Sequence, residues 1–213
     1  MESIVLYYSP GACSLASHVL LRELGIKFEA VKVELTASLP ESFRKINPKM
    51  RVPVLSIEGE TITETPAIFT AISQLAPERK LLGRSNIEIV RTYEWLNWLS
   101  GTLHGQAFGG FVRPHRYVDD PALYPAVKAK GWKNIEDCFE KIESDLAGLH
   151  AVGDNFTVVD IFLYVFYRWA NYGKDQIMDK YPKYTKLVTH LAKRKSVQEA
   201  LEAEGIVSFL PKL

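Results

Sequence analysis

A turn between an apolar run and a helical pattern, close to the amino terminus, constrains the fold of this chain most. Residues 4–7 (I-V-L-Y) are typical of a buried strand. Ser9, Pro10 and Gly11 follow, and a strand does not continue through such a turn. Over residues 15–24 the apolar positions recur at helical spacing. The pattern predicts a strand, a turn and a helix that begins near Cys13 and Ser14.

The position of Cys13 leaves two interpretations open. The first residues of a helix carry free N–H groups and the positive end of the helix dipole, which lower the pKa of a thiol. A lone cysteine is, however, more often a small buried apolar residue. Cys13 and Cys138 show no pairing pattern, so we expect no disulfide framework.

Alternation and periodicity divide the rest of the chain into two parts. Strands are predicted at residues 28–33, 53–57 and 60–63, with helices at 41–46 and 64–75, which makes the first part β-α-β-(α)-β-β-α. A polar, proline-containing stretch at 77–85 predicts a domain boundary. We expect domains at 1–77 and 86–213, with a linker at 78–85.

The second part contains no convincing strand. A long helix is predicted over residues 87–108, broken by Gly109-Gly110 and Pro114, and another over 124–149. Thr157 and Asp160 are typical of the start of a central buried helix, and two or three shorter helices are expected within 184–203. The carboxylate of Asp160 is better explained as a cap than as a catalytic group.

Composition excludes several classes of function. The 213 residues are 47% hydrophobic and carry 26 basic and 25 acidic side chains, so no overall charge favours nucleic acid or an anionic membrane. We expect a cytoplasmic protein without a signal peptide or membrane span. The histidines are scattered, no metal site is predicted, and no glycine-rich nucleotide loop occurs.

Two local patterns have both a structural and a functional interpretation. Pro53 begins a predicted strand, and base rates favour a trans bond after Val52. Glu64 and Thr65 precede Pro66 at a helix start, which suggests an N-cap or, alternatively, an anion site with Glu64 available to an amine. His104 lies among glycines spaced every fourth residue, which leave room for a ligand or a partner helix.

These motifs together resemble the cytosolic glutathione transferases over nearly the whole chain. The resemblance rests on Y-x-x-P-G-A-C-S-L-A-S-H ending at residue 18, N-P-x-x-x-V-P-V-L at 47–55, T-E-T-P-A-I at 63–68, E-W-L-N at 94–97 and F-T-V-V-D at 156–160. The pattern is most similar to the bacterial beta class, which has cysteine at the active-site position. It implies a thioredoxin-like α/β amino-terminal domain, an all-α carboxyl-terminal domain, glutathione as co-substrate, and a homodimer formed by the helices around 87–108.

The resemblance also implies roles for individual residues. Cys13 matches the cysteine that faces the glutathione sulfur, Ser14 a hydroxyl donor to the thiolate, and Tyr8 the tyrosine that ends the first strand. The resemblance also implies that the bond before Pro53 is cis, and that Asn97 would reach the partner subunit's ligand. The remaining implied glutathione contacts are Arg51, Val52, Pro53, Glu64, Thr65, Asn97 and His104.

A second pocket, for an electrophile, is expected between the domains. Its aromatic lining with one guanidinium suits a flat, conjugated and partly polar molecule. Two positions depart from the beta-class pattern and remove positive charge near Cys13, because Thr36-Ala37-Ser38 and Gly105 stand where that class has lysines. The predicted lining residues are Tyr8, His104, Phe108, Phe111, Arg113, Tyr117 and Trp169.

Four functions remain open at this point. The first is conjugation of glutathione to an electrophile, with glutathione rather than Cys13 as the working thiol. The second is isomerisation, in which the thiolate adds reversibly to a conjugated alkene so that the bond can rotate. The third is thiol–disulfide exchange through Cys13, and the fourth, least favoured, is a silent binding module.

Overall fold

The amino-terminal part of the computed structural model is a mixed four-stranded sheet. The structure describes residues 3–34, 41–171 and 177–207, so the departure at 36–38 lies outside the described residues. The strands are β1 (Ile4–Tyr8), β2 (Glu29–Lys32), β3 (Val54–Ile57) and β4 (Glu60–Ile62). Their order in the sheet is β2-β1-β3-β4, with β1 parallel to β2 and antiparallel to β3, and β4 antiparallel to β3.

The helix that follows the first turn is buried over most of its length. This helix, α1 (Ser14–Glu23), packs against β1, against α2 (Thr65–Gln74) and against two helices of the second part. Because it has neighbours on several sides, even its polar residues Ser17 and His18 are fully buried. The predicted short helix at 41–46 is a 3₁₀ helix, Glu41–Lys45.

All regular elements described after residue 79 are helical. Besides short 3₁₀ turns, they are α3 (Asn86–Trp98), a π-helical segment (Leu99–Phe108), α4 (Gly109–Val112), α5 (Tyr124–Asp145), α6 (Val158–Ala170), α7 (Pro182–Leu191) and α8 (Lys195–Glu204). In the described parts of the chain, no helix combines the length and apolar character needed to cross a bilayer. The fold is therefore that of the predicted α/β domain followed by an all-α domain.

Helix α6 lies at the centre of the helical part, as predicted. Almost every residue of α6 is buried, and its aromatic side chains continue the core towards α1 and α7. The carboxylate of Asp160 accepts hydrogen bonds from the backbone N–H of Thr157 at 2.7 Å and of Ala151 at 2.8 Å. Asp160 therefore fixes the start of the helix and the preceding loop, in agreement with the interpretation as a cap.

The prediction that Gly109-Gly110 breaks the long helix is wrong. The helical path continues through α4 and ends only at Arg113, before Pro114. The close packing at this point depends on Gly131 of α5: a Cβ added there would lie 2.9 Å from the carbonyl carbon of Gly110. Helix α5 also ends at Asp145 rather than at 149, because Leu146 takes an extended backbone and buries its side chain.

Candidate active site

Cys13 lies where α1 begins, at one end of the sheet. Its thiol donates a hydrogen bond to the carbonyl oxygen of Val52, with 3.5 Å between sulfur and oxygen, and the Val52–Pro53 bond is cis, as the resemblance implied. The β1–β3 register pairs Tyr7 with Val54, so Tyr8 and Pro53 lie at this same end. Two separate motifs of the sequence, the one ending at residue 18 and the one at 47–55, thus meet at Cys13.

The thiol of Cys13 is not predisposed to ionise in the free protein. Burial raises its pKa to about 11, and this effect outweighs the opposing influence of Arg113, of the Cys13 and Ser14 N–H groups and of Arg51. Only about one molecule in ten thousand would carry the thiolate at pH 7. Cys13 is thus a buried residue in the free protein, and its burial opposes the low pKa that the helix start suggested.

The hydroxyl of Ser14 is committed to the turn that precedes it. It donates to the carbonyl oxygen of Ser9 at 3.2 Å and accepts from the Ser9 N–H at 3.1 Å, and the side chain is fully buried. Its proton is therefore directed at the chain and away from any ligand. This geometry does not support the predicted role of Ser14 as donor to a thiolate, and it makes the hydroxyl a brace for the loop.

Tyr8 belongs to a buried aromatic and polar cluster. Its ring packs on that of His18 with 5.2 Å between centroids, and His18 Nδ1 lies 2.9 Å from Glu204 Oε1. No hydrogen-bond partner is present for His18 Nε2 among the described residues. We assign hydrogen to Nδ1, because a carboxylate oxygen only accepts and Nδ1 is the ring nitrogen that faces it.

Side chains from the helical part bind both the backbone N–H and the backbone carbonyl oxygen of Gly11. Glu204 Oε2 accepts from the Gly11 N–H at 2.8 Å, and Trp169 Nε1 donates to the Gly11 carbonyl oxygen at 2.8 Å. We call this arrangement the Gly11 clamp. Sequence reasoning missed Glu204; the one available signal was an acid in the last turn of α8, where the helix dipole favours a cation.

The predicted glutathione contacts Pro53, Glu64 and Thr65 lie along the edge formed by the end of the sheet at which Cys13 is found. The β3–β4 register pairs Leu55 with Ile62, which places Glu64 opposite Pro53 and Thr65 at the start of α2. Glu64 Oε1 lies 2.6 Å from Lys49 Nζ, so this carboxylate already holds an ammonium group.

The turn before Pro53 is held by a buried side chain. Asn47 Nδ2 donates to the carbonyl oxygen of Arg51 at 2.7 Å, and Asn47 Oδ1 accepts from the Lys49 N–H at 3.0 Å. The amide is almost completely buried. The Asn47 side chain thus sets the backbone of Arg51 and Val52 beside Cys13.

Aromatic side chains of the helical part approach this edge. The ring centroid of Trp169 lies 5.2 Å from those of His104 and of Phe108, and Trp169 is bound to Gly11. Phe166, which sequence reasoning missed, joins them at 5.9 Å from His104. The structure therefore brings together His104, Phe108 and Trp169, three of the residues predicted to line the electrophile pocket.

The other predicted residues of this region have different neighbours. The hydroxyl of Tyr117 donates to the carbonyl oxygen of Gly105 and occupies the position that a Cβ on Gly109 would take. The phenol ring of Tyr117 therefore fills the space beside Gly109. The ring of Phe111 packs on Trp132 of α5 at 5.0 Å. Asn97 donates to the carbonyl oxygen of Tyr93 at 2.8 Å and is exposed.

His104 is a neutral imidazole at pH 7. Burial lowers its pKa to about 4, and the charges of Arg113, Arg51 and Arg116 act in the same direction. A ring with so low a pKa is a poor proton acceptor, but its N–H still donates a hydrogen bond. Within the ranges that the structure describes, no group of three or more His, Cys, Asp or Glu side chains is arranged to hold a metal ion.

Comparison with known proteins identifies the family. The model of the glutathione S-transferase amino-terminal domain matches residues 2–74, and that of the carboxyl-terminal domain matches residues 121–204. The chain belongs to the glutathione S-transferase family. Glutathione S-transferase GstA of Escherichia coli O157:H7 is 36% identical over 208 residues, which cover 94% of this chain and 98% of that relative. The family prediction is confirmed.

Solved structures and a more distant relative complete the comparison. A sphingomonad glutathione S-transferase complexed with glutathione is 36% identical, with a TM-score of 0.82, over 95% of this transferase and 100% of that chain. The beta-class enzyme of Sphingomonas chungbukensis is 35% identical, with a TM-score of 0.83 and the same coverage. Maleylacetoacetate isomerase of Rattus norvegicus is 29% identical over 166 residues, which cover 75% of this transferase and 74% of that relative.

Proposed function

We propose that this transferase binds glutathione along the edge between Glu64 and Cys13 and adds its thiolate to a conjugated or aromatic electrophile. The geometry at Cys13 carries the proposal: its thiol is buried and donates to the Val52 carbonyl oxygen, and burial raises its pKa, so glutathione is left as the working nucleophile. The sphingomonad relative complexed with glutathione supports the choice of co-substrate.

The edge offers complementary groups for each part of glutathione. Lys49 Nζ, at 2.6 Å from Glu64 Oε1, stands in for the ammonium group of the γ-glutamyl residue. The amino-terminal end of α2, at Thr65, suits the adjoining carboxylate. The backbone of Val52 would pair with the cysteinyl residue, and Arg51 would bind the glycyl carboxylate.

The positive surroundings of Cys13 would serve the glutathione sulfur. The N–H groups of Cys13 and Ser14, together with Arg113 and Arg51, already favour an anion at this point. Lowering a thiol pKa by two units requires about 2.7 kcal/mol. A helix terminus contributes roughly 0.3–1 kcal/mol and a charge-assisted hydrogen bond roughly 1.5–3 kcal/mol, which would reach this value for a glutathione sulfur that stays less buried than the Cys13 sulfur.

The reaction then needs no cofactor. The glutathione thiol loses its proton to solvent, and the thiolate forms a C–S bond with the electrophile. In a substitution the leaving group departs with its electron pair; in an addition the pair moves into the conjugated acceptor, which is then protonated. His104 would donate a hydrogen bond to the developing charge, while Phe108 and Trp169 hold a flat ring against the sulfur.

Replacement of the cysteine tests which thiol works. Cys13→Ser keeps a donor to the Val52 carbonyl, and we expect it to retain most of the conjugating activity with 1-chloro-2,4-dinitrobenzene. Cys138→Ser, a change at the other buried cysteine, is the matched control. Loss of turnover in Cys13→Ser alone, together with loss of disulfide reduction, would make the protein a thiol oxidoreductase.

Isomerisation is the second candidate, and the similarity to maleylacetoacetate isomerase favours it. The same thiolate would add to a cis conjugated alkene, allow rotation about the resulting single bond, and leave again by elimination. Proton NMR of a cis enone with catalytic glutathione would show the trans isomer without loss of glutathione. Stoichiometric consumption of glutathione would instead indicate conjugation.

A further inference from the structure

Three arginines lie on segments of the chain that are joined to the elements carrying Cys13 and His104. We call Arg51, Arg113 and Arg116 the arginine cluster. Arg51 precedes Val52, whose carbonyl oxygen accepts from the Cys13 thiol. Arg113 ends α4, and Arg116 belongs to the 3₁₀ helix that follows.

Contacts on the helical side tie the segment that carries the last two arginines to the helix that carries His104. The Tyr117 hydroxyl bonds to the carbonyl oxygen of Gly105, which ties the segment after Arg116 to the helix that carries His104. That helix is joined to the Gly11 loop because Trp169 contacts His104 and donates to Gly11. Arg113 and Arg51 also lower the pKa of Cys13, of His104 and of Arg116, so their charges reach all three groups.

No carboxylate pairs with these three arginines in the described part of the chain. Most other described arginines have one: Arg22 with Glu199, Arg44 with Glu41, Arg79 and Arg194 with Glu23, and Arg91 with Glu94. Clustered like charges repel one another, and a cleft lined by one sign of charge concentrates ligands of the opposite sign. With a net charge of only +1 for the whole chain, the cluster is a local feature.

Glutathione accounts for one member of the cluster. If its γ-glutamyl end lies at Glu64 and its cysteinyl residue at Val52, the glycyl carboxylate is left for Arg51. Arg113 and Arg116 then remain on the helical side, at the end of the helical path that also carries Phe108. Guanidinium is the donor best matched to a carboxylate, because its N–H groups bind both oxygens at once.

We propose that Arg113 and Arg116 bind a carboxylate carried by the electrophile, so that the second substrate is an anionic conjugated or aromatic acid. The inference rests on the proposed function and specifies its substrate class. The aromatic rings take the flat body of the molecule, and the two arginines orient it by its charged end. An acid thus held keeps its reactive carbon over the glutathione sulfur.

A pair of electrophiles, one with a carboxylate and one without, tests the proposal. 4-Chloro-3,5-dinitrobenzoate and its methyl ester share a ring and a leaving group, so the ratio of their kcat/KM values, each divided by the uncatalysed rate constant with glutathione, reports recognition of the carboxylate. We expect the wild type to favour the acid by at least about ten-fold. We expect Arg116→Gln and the double variant Arg113→Gln/Arg116→Gln to lower the ratio by about ten- to hundred-fold, which is the contribution of a hydrogen bond to a charged group.

The matched control is Arg84→Gln, which removes an exposed guanidinium outside the cluster and should leave the ratio unchanged. An unchanged ratio in both cluster variants overturns the inference. So does a rise in KM for glutathione that matches the loss with the acid, because the arginines would then hold the glycyl carboxylate.

A binding measurement keeps the test independent of turnover. Chemically prepared glutathione conjugates of the acid and of the ester are titrated calorimetrically into wild type and into the double variant. Tighter binding of the acid conjugate by wild type, lost in the variant, supports the inference. Equal binding of both conjugates by wild type rejects the inference and leaves the proposed function standing, whereas failure to bind glutathione or either conjugate rejects both.

Discussion

Replacement of Glu204 should lower the stability of the protein strongly, because this residue holds the Gly11 loop from 193 positions away. Glu204→Ala removes the acceptor of two hydrogen bonds, one from Gly11 N–H at 2.8 Å and one from His18 Nδ1 at 2.9 Å. Hydrogen bonds to a charged acceptor contribute about 1.5–3 kcal/mol each, so the pair contributes roughly 3–6 kcal/mol. Relief from burying the carboxylate offsets part of this, and we expect a net loss of about 3 kcal/mol.

Urea unfolding at one fixed protein concentration measures this loss. With a slope of about 2 kcal/mol per molar, the midpoint should fall by roughly 1.5 M. Glu199→Ala is the matched control on the same helix, because this partly exposed carboxylate pairs with Arg22 at 3.8 Å and with the almost fully exposed Lys195 at 3.3 Å, which should contribute less than about 1 kcal/mol. Glu204→Gln, which keeps one acceptor oxygen, should lie between the two.

Two outcomes would refute this reasoning. Equal midpoints for Glu204→Ala and Glu199→Ala would mean that the buried carboxylate does not stabilise the loop. A full loss in Glu204→Ala with an equal loss in Glu204→Gln would assign the effect to charge alone, and the hydrogen-bond geometry at Gly11 would be irrelevant.

Three further predictions follow from the site and from the exposed surface. Iodoacetamide should alkylate Cys13 at pH 8 more than about a hundred-fold more slowly than free cysteine, because its pKa of about 11 leaves little thiolate. Since folding raises this pKa, the free energy of unfolding should also fall from about pH 9 to 11, and it should fall less in Cys13→Ser. Glu64→Ala should weaken glutathione binding by at least about 1.5 kcal/mol in calorimetry, whereas Glu60→Ala, an exposed acid on β4, should not; equal affinities would remove Glu64 from the site. Wild type should sediment as a homodimer of about twice 24.1 kDa, and Val90→Glu, on an exposed apolar position of α3, as a monomer; a monomeric wild type would also end the role proposed for Asn97.

What the sequence by itself determined is local in origin. Alternation and helical spacing were sufficient for the order of strands and helices, because each pattern reflects which faces of an element are buried. The turn before Pro53 could be placed from its motif, and Asn47 now explains its shape through two short-range hydrogen bonds. Asp160 could be assigned as a cap for the same reason, since its partners lie within ten residues.

Only the tertiary structure decided the chemistry of the site. The pKa of Cys13 depends on how much of the protein excludes water from the sulfur, which outweighs the local helix terminus that suggested a thiolate. The continuation of the helix through Gly109 and Gly110 depends on a crossing helix, whereas glycine propensity alone predicted a break. Glu204 reaches Gly11, and Arg113 approaches Cys13, across long stretches of chain. Burial and long-range pairing depend on which segments meet, and no local pattern in this sequence encodes those meetings.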